Sequence, residues 1–249
     1  MEKEYLYEQE TIITADRVTP SKTLSVFAAA DLLQNSASLH SISMGIDDVT
    51  LKEKFGLFWV AAHIVITLNN VRCMNEPALV KTWVRSTSRM KSERLCSISC
   101  KNGIVAEGRC EWAMLDMNTH RPVRFPDEVK ADRWAYDTDD VDVPKFSRIK
   151  PDFGEDDFVM ERRVMSGDID ISMHTNNAVY CRFLTDMFSA QFLTENPIST
   201  FEIVYVKESR EGDVLKLYRK FTDSNTAELG AYNENGETVV AARAVFKKQ

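Results

Sequence analysis

The dipeptide Asn102-Gly103 returns as Asn235-Gly236, and each copy separates two segments with the alternation of a strand. Asn-Gly supplies the positive φ angles of a two-residue turn, so each copy marks an antiparallel hairpin. The strands that follow carry Ala106, Arg109 and Trp112 in one case and Val239, Ala242 and Val245 in the other. What precedes each hairpin also matches. The first copy reads as a strand over 4–15, a helix, and strands over 57–69, 78–85, 94–101 and 104–117. Its helix starts at Thr19-Pro20, read as N-cap and first helical residue, and its stripe of Leu24, Phe27, Ala28, Leu32, Ala37 and Leu39 stops at Gly45. The second copy reads as a strand over 158–165, a helix over 177–193 with Val179, Phe183 and Met187 four residues apart, and strands over 200–207, 213–221, 227–233 and 237–246. A strand–helix–antiparallel-sheet unit used twice predicts an α+β fold, with two sheets joined edge to edge and the helices on one side. Another α+β sandwich with this element order fits the same pattern.

Charge places the boundary between the copies. Residues 127–157 hold eleven acidic against five basic residues, nearly the whole of the net charge of −7, with Pro144 and Pro151 and little periodicity. The division expected is an N-terminal repeat over 1–135, an acidic linker over 136–156 and a C-terminal repeat over 157–249. The negative balance argues against nucleic acid as a partner. Arg85 to Lys101 runs the other way, with five basic residues and one acidic, and reads as a solvated strand face or a surface for an acidic partner. The start lacks a basic segment leading to an apolar core, and the longest nearly apolar run, 57–68, is too short to span a bilayer, so a cytoplasmic protein is expected. Five cysteines without a CxxC pair and four scattered histidines form no disulfide framework and no metal-ligand pattern; no metal and no cofactor are expected.

The densest chemistry lies just before the second helix, in Asp168-Ile169-Asp170-Ile171-Ser172-Met173-His174-Thr175-Asn176-Asn177. Two carboxylates, a hydroxyl, an imidazole and two carboxamides in ten residues are enough to cap a helix, bind a ligand or catalyse a reaction. Asp170, Ser172, His174 and Asn176 alternate with Ile171, Met173 and Thr175, so an extended chain would put them on one face. It would also part Asp170 from His174 by about 13 Å. A shared reacting centre therefore requires the segment to curl.

This stretch, DIDISMHTNNAVY, resembles the Asp-x-Asp-x-Asn-x-His-x-Asn-Asn signature of the plant plastid and bacterial acyl-acyl carrier protein thioesterases, which are double (tandem) hotdog enzymes. Three further stretches resemble the family in the same order: ADLLQNSASLHSISMG, WVAAHIVITLNNVRCMNEPALVKTW and EWAMLDMNTHRPVRFPDEV. The resemblance implies two antiparallel sheets, each wrapping a long helix. It places the family's aspartate on Asp170, its histidine on His174 and its glutamate on Glu208. Ser172 stands where the family has asparagine, and Ser209 where it has the cysteine of a Cys-His-Asn triad. An unassisted hydroxyl is a far weaker nucleophile than a thiolate. Ser209 could replace the thiol only if a base activated it; the simpler route has Asp170 or Glu208 as general base on water, or as a direct nucleophile, with His174 donating a proton and Ser172 orienting.

The resemblance further implies an acyl chain held by the N-terminal repeat. Leu24, Phe27 and Trp59 are candidates there, with Leu32, Phe58, Trp83 and Trp112 behind them, and Asn176 and Asn177 nearer the thioester. The implied partner is acidic acyl carrier protein, approached through Arg85–Lys101 or through Arg121 and Arg124. Stable membrane insertion is not expected, and the chain is read as a monomer or homodimer. An acyl-coenzyme A thioesterase and a non-catalytic acyl-binding hotdog share most of these features; a hotdog dehydratase shares fewer.

Overall fold

The computed structural model describes residues 5–127, 129, 134–136 and 138–247. The first repeat contains β1 (Leu6–Ile12), α1 (Val26–Ser43), α2 (Asp48–Phe55), β2 (Leu57–Leu68), β3 (Pro77–Thr87), β4 (Lys91–Cys100) and β5 (Gly103–Asp116). The second contains β6 (Phe158–Arg163), α3 (Asn177–Thr185), α4 (Ala190–Glu195), β7 (Ile198–Tyr205), β8 (Val214–Asp223), β9 (Thr226–Tyr232) and β10 (Thr238–Phe246). Both Asn-Gly turns close hairpins, with Gly103 at φ 120° and Gly236 at φ 74°.

All ten strands form one sheet in the order β1-β3-β4-β5-β2-β7-β10-β9-β8-β6. Each repeat contributes five neighbouring strands in the corresponding order. The seam is the antiparallel pair β2–β7, with Ile64 opposite Ile203 and Ile66 opposite Phe201. These four residues are buried on the face that carries α1 and α3. His63 and Glu202 alternate with them and point to the other face, as the period of a strand requires.

That outer face is not left to solvent. Phe146, in the connection between the repeats, lies 4.6 Å from the His63 ring. Ser147 donates from its backbone N–H and its hydroxyl to Glu202, both at 2.6 Å. Farther along, Phe153 stacks on Tyr218, and a Cβ at Gly230 would stand 2.7 Å from the Phe153 ring. The proline-containing connection is therefore a strap packed on the sheet. Its acidic residues Glu128, Asp132 and Asp137 lie outside the described residues, as does Glu4 of the first predicted strand.

Three elements depart from the sequence expectation. Helix α1 begins at Val26, not after Thr19-Pro20, because bridges Val18–Leu24 and Thr23–Arg72 hold that stretch extended, while Ser25 accepts from the Ala28 N–H and supplies the cap. Helix α2 was not anticipated; it has little apolar stripe, but Asp47 caps it and Gly56 ends it in the left-handed region. The helix expected over 177–193 is two helices. Thr185 turns its hydroxyl back to Cys181 O, and Ser189 opens α4 by accepting from Phe192 N–H.

Candidate active site

The signature segment does curl. The Asp170 N–H donates to His174 O at 2.9 Å, the Met173 N–H donates to Asp170 O at 3.0 Å, and Met173 takes φ 62° to close the turn. A left-handed methionine is uncommon, and its side chain is exposed, so the turn and not core burial sets its conformation. The base of the turn is fixed from below. Asp168 is buried, accepts from the Met165 N–H at 2.9 Å, and pairs with Arg182 of α3 at 2.7 Å. The first carboxylate of the motif thus holds the loop to the helix, which leaves the second as the chemical candidate.

Asp170 accepts from the Ser172 backbone N–H at 2.8 Å. No other donor among the described residues bonds this carboxylate. Four residues on from Asp170, the His174 imidazole Nε2 lies 3.1 Å from Glu208 Oε2, on the loop after β7. The His174 side chain is mostly enclosed, whereas Glu208 is substantially open to solvent. Asn176 caps α3 by accepting from the Ala178 N–H, and Tyr205 donates its hydroxyl to Asn177 O. The positive end of α3 therefore sits beside the turn.

Ser209 is differently placed. It is buried, its hydroxyl lies 2.7 Å from both Thr175 Oγ1 and Tyr180 Oη, and its backbone N–H donates to Tyr180 Oη at 3.0 Å. Neither His174 nor Glu208 bonds it. Burial raises the Tyr180 hydroxyl above its ordinary pKa despite its bonds to Ser209 and Thr175, so this trio is neutral at ordinary pH. Thr175 and Tyr180 were not singled out from sequence. One lies within the motif and the other within the α3 stripe, and only their shared contact with Ser209 distinguishes them.

A cavity of about 620 Å³ opens beside Asp170. One wall is Asp170, Ser172, Asn176 and Asn177 of the second repeat; the opposite wall is α1 and the inner sheet face of the first, including Trp59, Arg94 and Trp112. Trp59 donates its indole N–H to Ile46 O at 2.8 Å, which fixes its ring at this wall. Leu24 and Phe27 do not line it. Leu24 is in the core, and Phe27 packs beneath the Arg182 guanidinium, 5.2 Å from the ring centre, joining α1 to α3. Asp48 also faces the cavity. Burial lifts its pKa, the nearby Asp170 charge adds to the rise, and the Trp59 N–H bond partly opposes it.

The basic run splits on folding. Arg85, Lys91 and Lys101 pair with Glu93, Glu111 and Glu76, and Arg94 is buried in the cavity wall. Arg121 and Arg124 are exposed on the loop after β5. Among the described residues no group of three or more His, Cys, Asp or Glu side chains is placed to hold a metal ion. No helix of the described residues is long and apolar enough to cross a membrane.

Comparison with known proteins agrees with this architecture along nearly the whole chain. The chain is 22% identical to the chloroplastic oleoyl-acyl carrier protein thioesterase of Coriandrum sativum over 96% of its own length and 69% of that protein's. Its fold matches a crystal structure of an acyl-ACP thioesterase from Bacteroides thetaiotaomicron with a TM-score of 0.89 at 24% identity, covering 98% of each chain. The 12:0-ACP thioesterase of Umbellularia californica matches with a TM-score of 0.84 at 16% identity, again over 98% of each. The tandem hotdog fold follows from these likenesses. Residues 4–132 match the acyl-ACP thioesterase N-terminal domain and residues 154–248 the C-terminal domain, and the chain therefore belongs to the acyl-ACP thioesterase family of thioester hydrolases.

Proposed function

We propose that the protein cleaves the thioester of a fatty acyl chain carried on acyl carrier protein, releasing free fatty acid and the carrier thiol and so ending chain elongation. The observation that carries this reading is the position of Asp170, which borders the cavity and whose backbone N–H bonds His174 O across the turn. The first repeat, 1–135, receives the acyl chain, and the second, 157–249, supplies the reacting groups.

Asp170 acts as the general base. It borders the cavity, whereas neither Glu208 nor His174 does, and its single backbone bond leaves acceptor capacity for a water. Water oxygen attacks the thioester carbon as its proton passes to Asp170. The developing oxyanion forms near the first turn of α3, where Asn176 and Asn177 border the cavity. When the carbon–sulfur bond breaks, a proton from His174 reaches the leaving sulfur, the proton taken up by Asp170 then returns to His174, and Glu208 holds the imidazole in position. Ser172 contributes its backbone N–H to the orientation of Asp170. The enclosure of Ser209 by Thr175 and Tyr180, without a base, favours water over a covalent serine route.

Release of free thiol from acyl carrier proteins of graded chain length, beside matched acyl-coenzyme A substrates, tests the reading. Expected is turnover preferring the carrier protein, reduced about 10²- to 10⁴-fold in Asp170→Asn and less in Glu208→Gln, and retained in Ser209→Ala. Parental turnover in a folded Asp170→Asn would remove Asp170 as the base. A preference for coenzyme A, or no turnover with any acyl carrier protein, would overturn the function itself.

A further inference from the structure

The cavity wall opposite Asp170 has the wrong chemistry for a plain hydrocarbon. Arg94 is 6% exposed, and burial pulls its pKa below the usual guanidinium value. All of its hydrogen bonds leave from Nη1, to His40 Nδ1 at 2.8 Å and Thr82 Oγ1 at 3.3 Å. Nη2 and Nε find no acceptor, and no carboxylate pairs with it, among the described residues. Across the β4–β5 ladder Ser92 stands opposite Trp112, two residues from Arg94 on the same face. The buried indole Nε1 of Trp112 also lacks a hydrogen-bond partner. Arg94, Ser92 and Trp112 all border the cavity, and α1 presents Gln34, Ser38 and Ser41 across from them.

Burying a charge without a counter-charge, and a donor without an acceptor, is unfavourable unless something else completes them. An alkyl chain filling this space would displace water from Arg94 and return no hydrogen bond. A carbonyl or carboxylate oxygen would meet the unbonded guanidinium donors of Arg94, while Ile46, Val84 and the Trp59 ring still offer apolar surface to the methylenes.

We propose that this cavity selects acyl chains that carry an acceptor oxygen beyond the thioester, a carbonyl or a carboxylate, and that Arg94 is the selecting residue. The proposal rests on the acyl-thioester reading above and specifies its substrate class. Arg94 is a specificity residue here and takes no part in the proton transfers.

The test is kcat/KM for an eight-carbon series on acyl carrier protein: octanoyl, its oxo derivatives with the carbonyl at carbon 3, 5 or 7, and the half-thioester of suberic acid. Each is measured with the parent, Arg94→Met and Arg94→Lys. At least one oxygenated member should exceed octanoyl by about tenfold or more in the parent. Arg94→Met should abolish that ratio, and Arg94→Lys, which keeps the charge and loses the planar fork of donors, should reduce it. Octanoyl equal to or better than every oxygenated chain overturns the proposal, as does a ratio unchanged in both variants. Calorimetric binding of the corresponding N-methylamides, which carry no carboxylate at the thioester end, to the parent and Arg94→Lys decides the same question without turnover. If no thioester is cleaved, the hydrolase reading fails, and the preference among these amides still supports or overturns the selection.

Discussion

The two helices of the repeat rest on the same kind of sheet face and make opposite use of it. In the second repeat the space is filled. Phe183 of α3 and Phe201 of β7 are fully buried, and Phe188, Phe192, Phe221 and Phe246 form a ring cluster with centroids 5.3 to 6.1 Å apart. In the first repeat α1 leads with alanines, which pack tightly through Ala28, Ala29 and Ala30, and then presents polar residues toward a void. The difference is one of side chains, not of topology. A helix that begins as a buried element and ends as a cavity wall cannot keep one apolar stripe, whereas α3 does so throughout.

The strongest way to break this contrast is to exchange the roles of the helices. Phe183→Ala should cost about 3–5 kcal/mol, because nothing nearby collapses into the space. Gln34→Ala, on α1 at the cavity, should stay within about 0.5 kcal/mol. Equal losses in urea unfolding would mean that both repeats are packed alike. Next in size is Gly108→Ala, since a Cβ there would stand 2.4 Å from Leu33 Cδ1 of α1. A loss of about 1–3 kcal/mol is expected, and an unchanged melting temperature would show that Leu33 has room to move.

The seam between the repeats gives a pH test. Burial alone would raise the Glu202 pKa, but bonds from His63 and Ser147 more than offset it and hold the carboxyl below its ordinary value of 4.5. Its stabilisation is complete above that value and disappears as pH falls through the lowered one. Glu202→Gln should therefore melt lower than the parent at neutral pH, with the gap narrowing in acid; a gap that widens in acid contradicts the assignment. The smallest effect belongs to Asp48, whose pKa shifts the other way. A raised carboxyl stabilises the fold only while protonated, so its contribution is lost as pH rises through the shifted value. Asp48→Asn should melt slightly higher than the parent at neutral pH and match it below the ordinary carboxylate range. A lower melting temperature at neutral pH would show that the charge is useful to the fold.

The repeat and its hairpins were legible because alternation and Asn-Gly turns are local signals. The need for Asp170 and His174 to approach was legible from spacing alone. How they do it was not, since a left-handed Met173 is imposed by the bonds across the turn. Arg94 shows the larger gap. Strand alternation tells which residues share a face, but a charged residue in a basic run reads as solvated, and only the docking of α1 reveals that this face is inside. Helix α2 was missed for a related reason: its identity lies in its caps and not in a stripe. The acidic connection read as a spacer because proline and low periodicity say nothing about packing. Its hold on the sheet comes from Phe146, Ser147 and Phe153, whose partners lie 55 or more residues away for Ser147.

The β2–β7 seam has a consequence for how such a molecule changes over generations. Two identical subunits pairing along one strand would be bound by symmetry: every substitution appears on both sides of the axis, so a side chain that hollows one core hollows the other. Joining the two copies in a single chain lifts that constraint. Arg94 can enter one half without appearing in its counterpart, and Phe183 can fill the other without closing the first. The continuous sheet keeps the halves in register while their interiors drift toward different tasks.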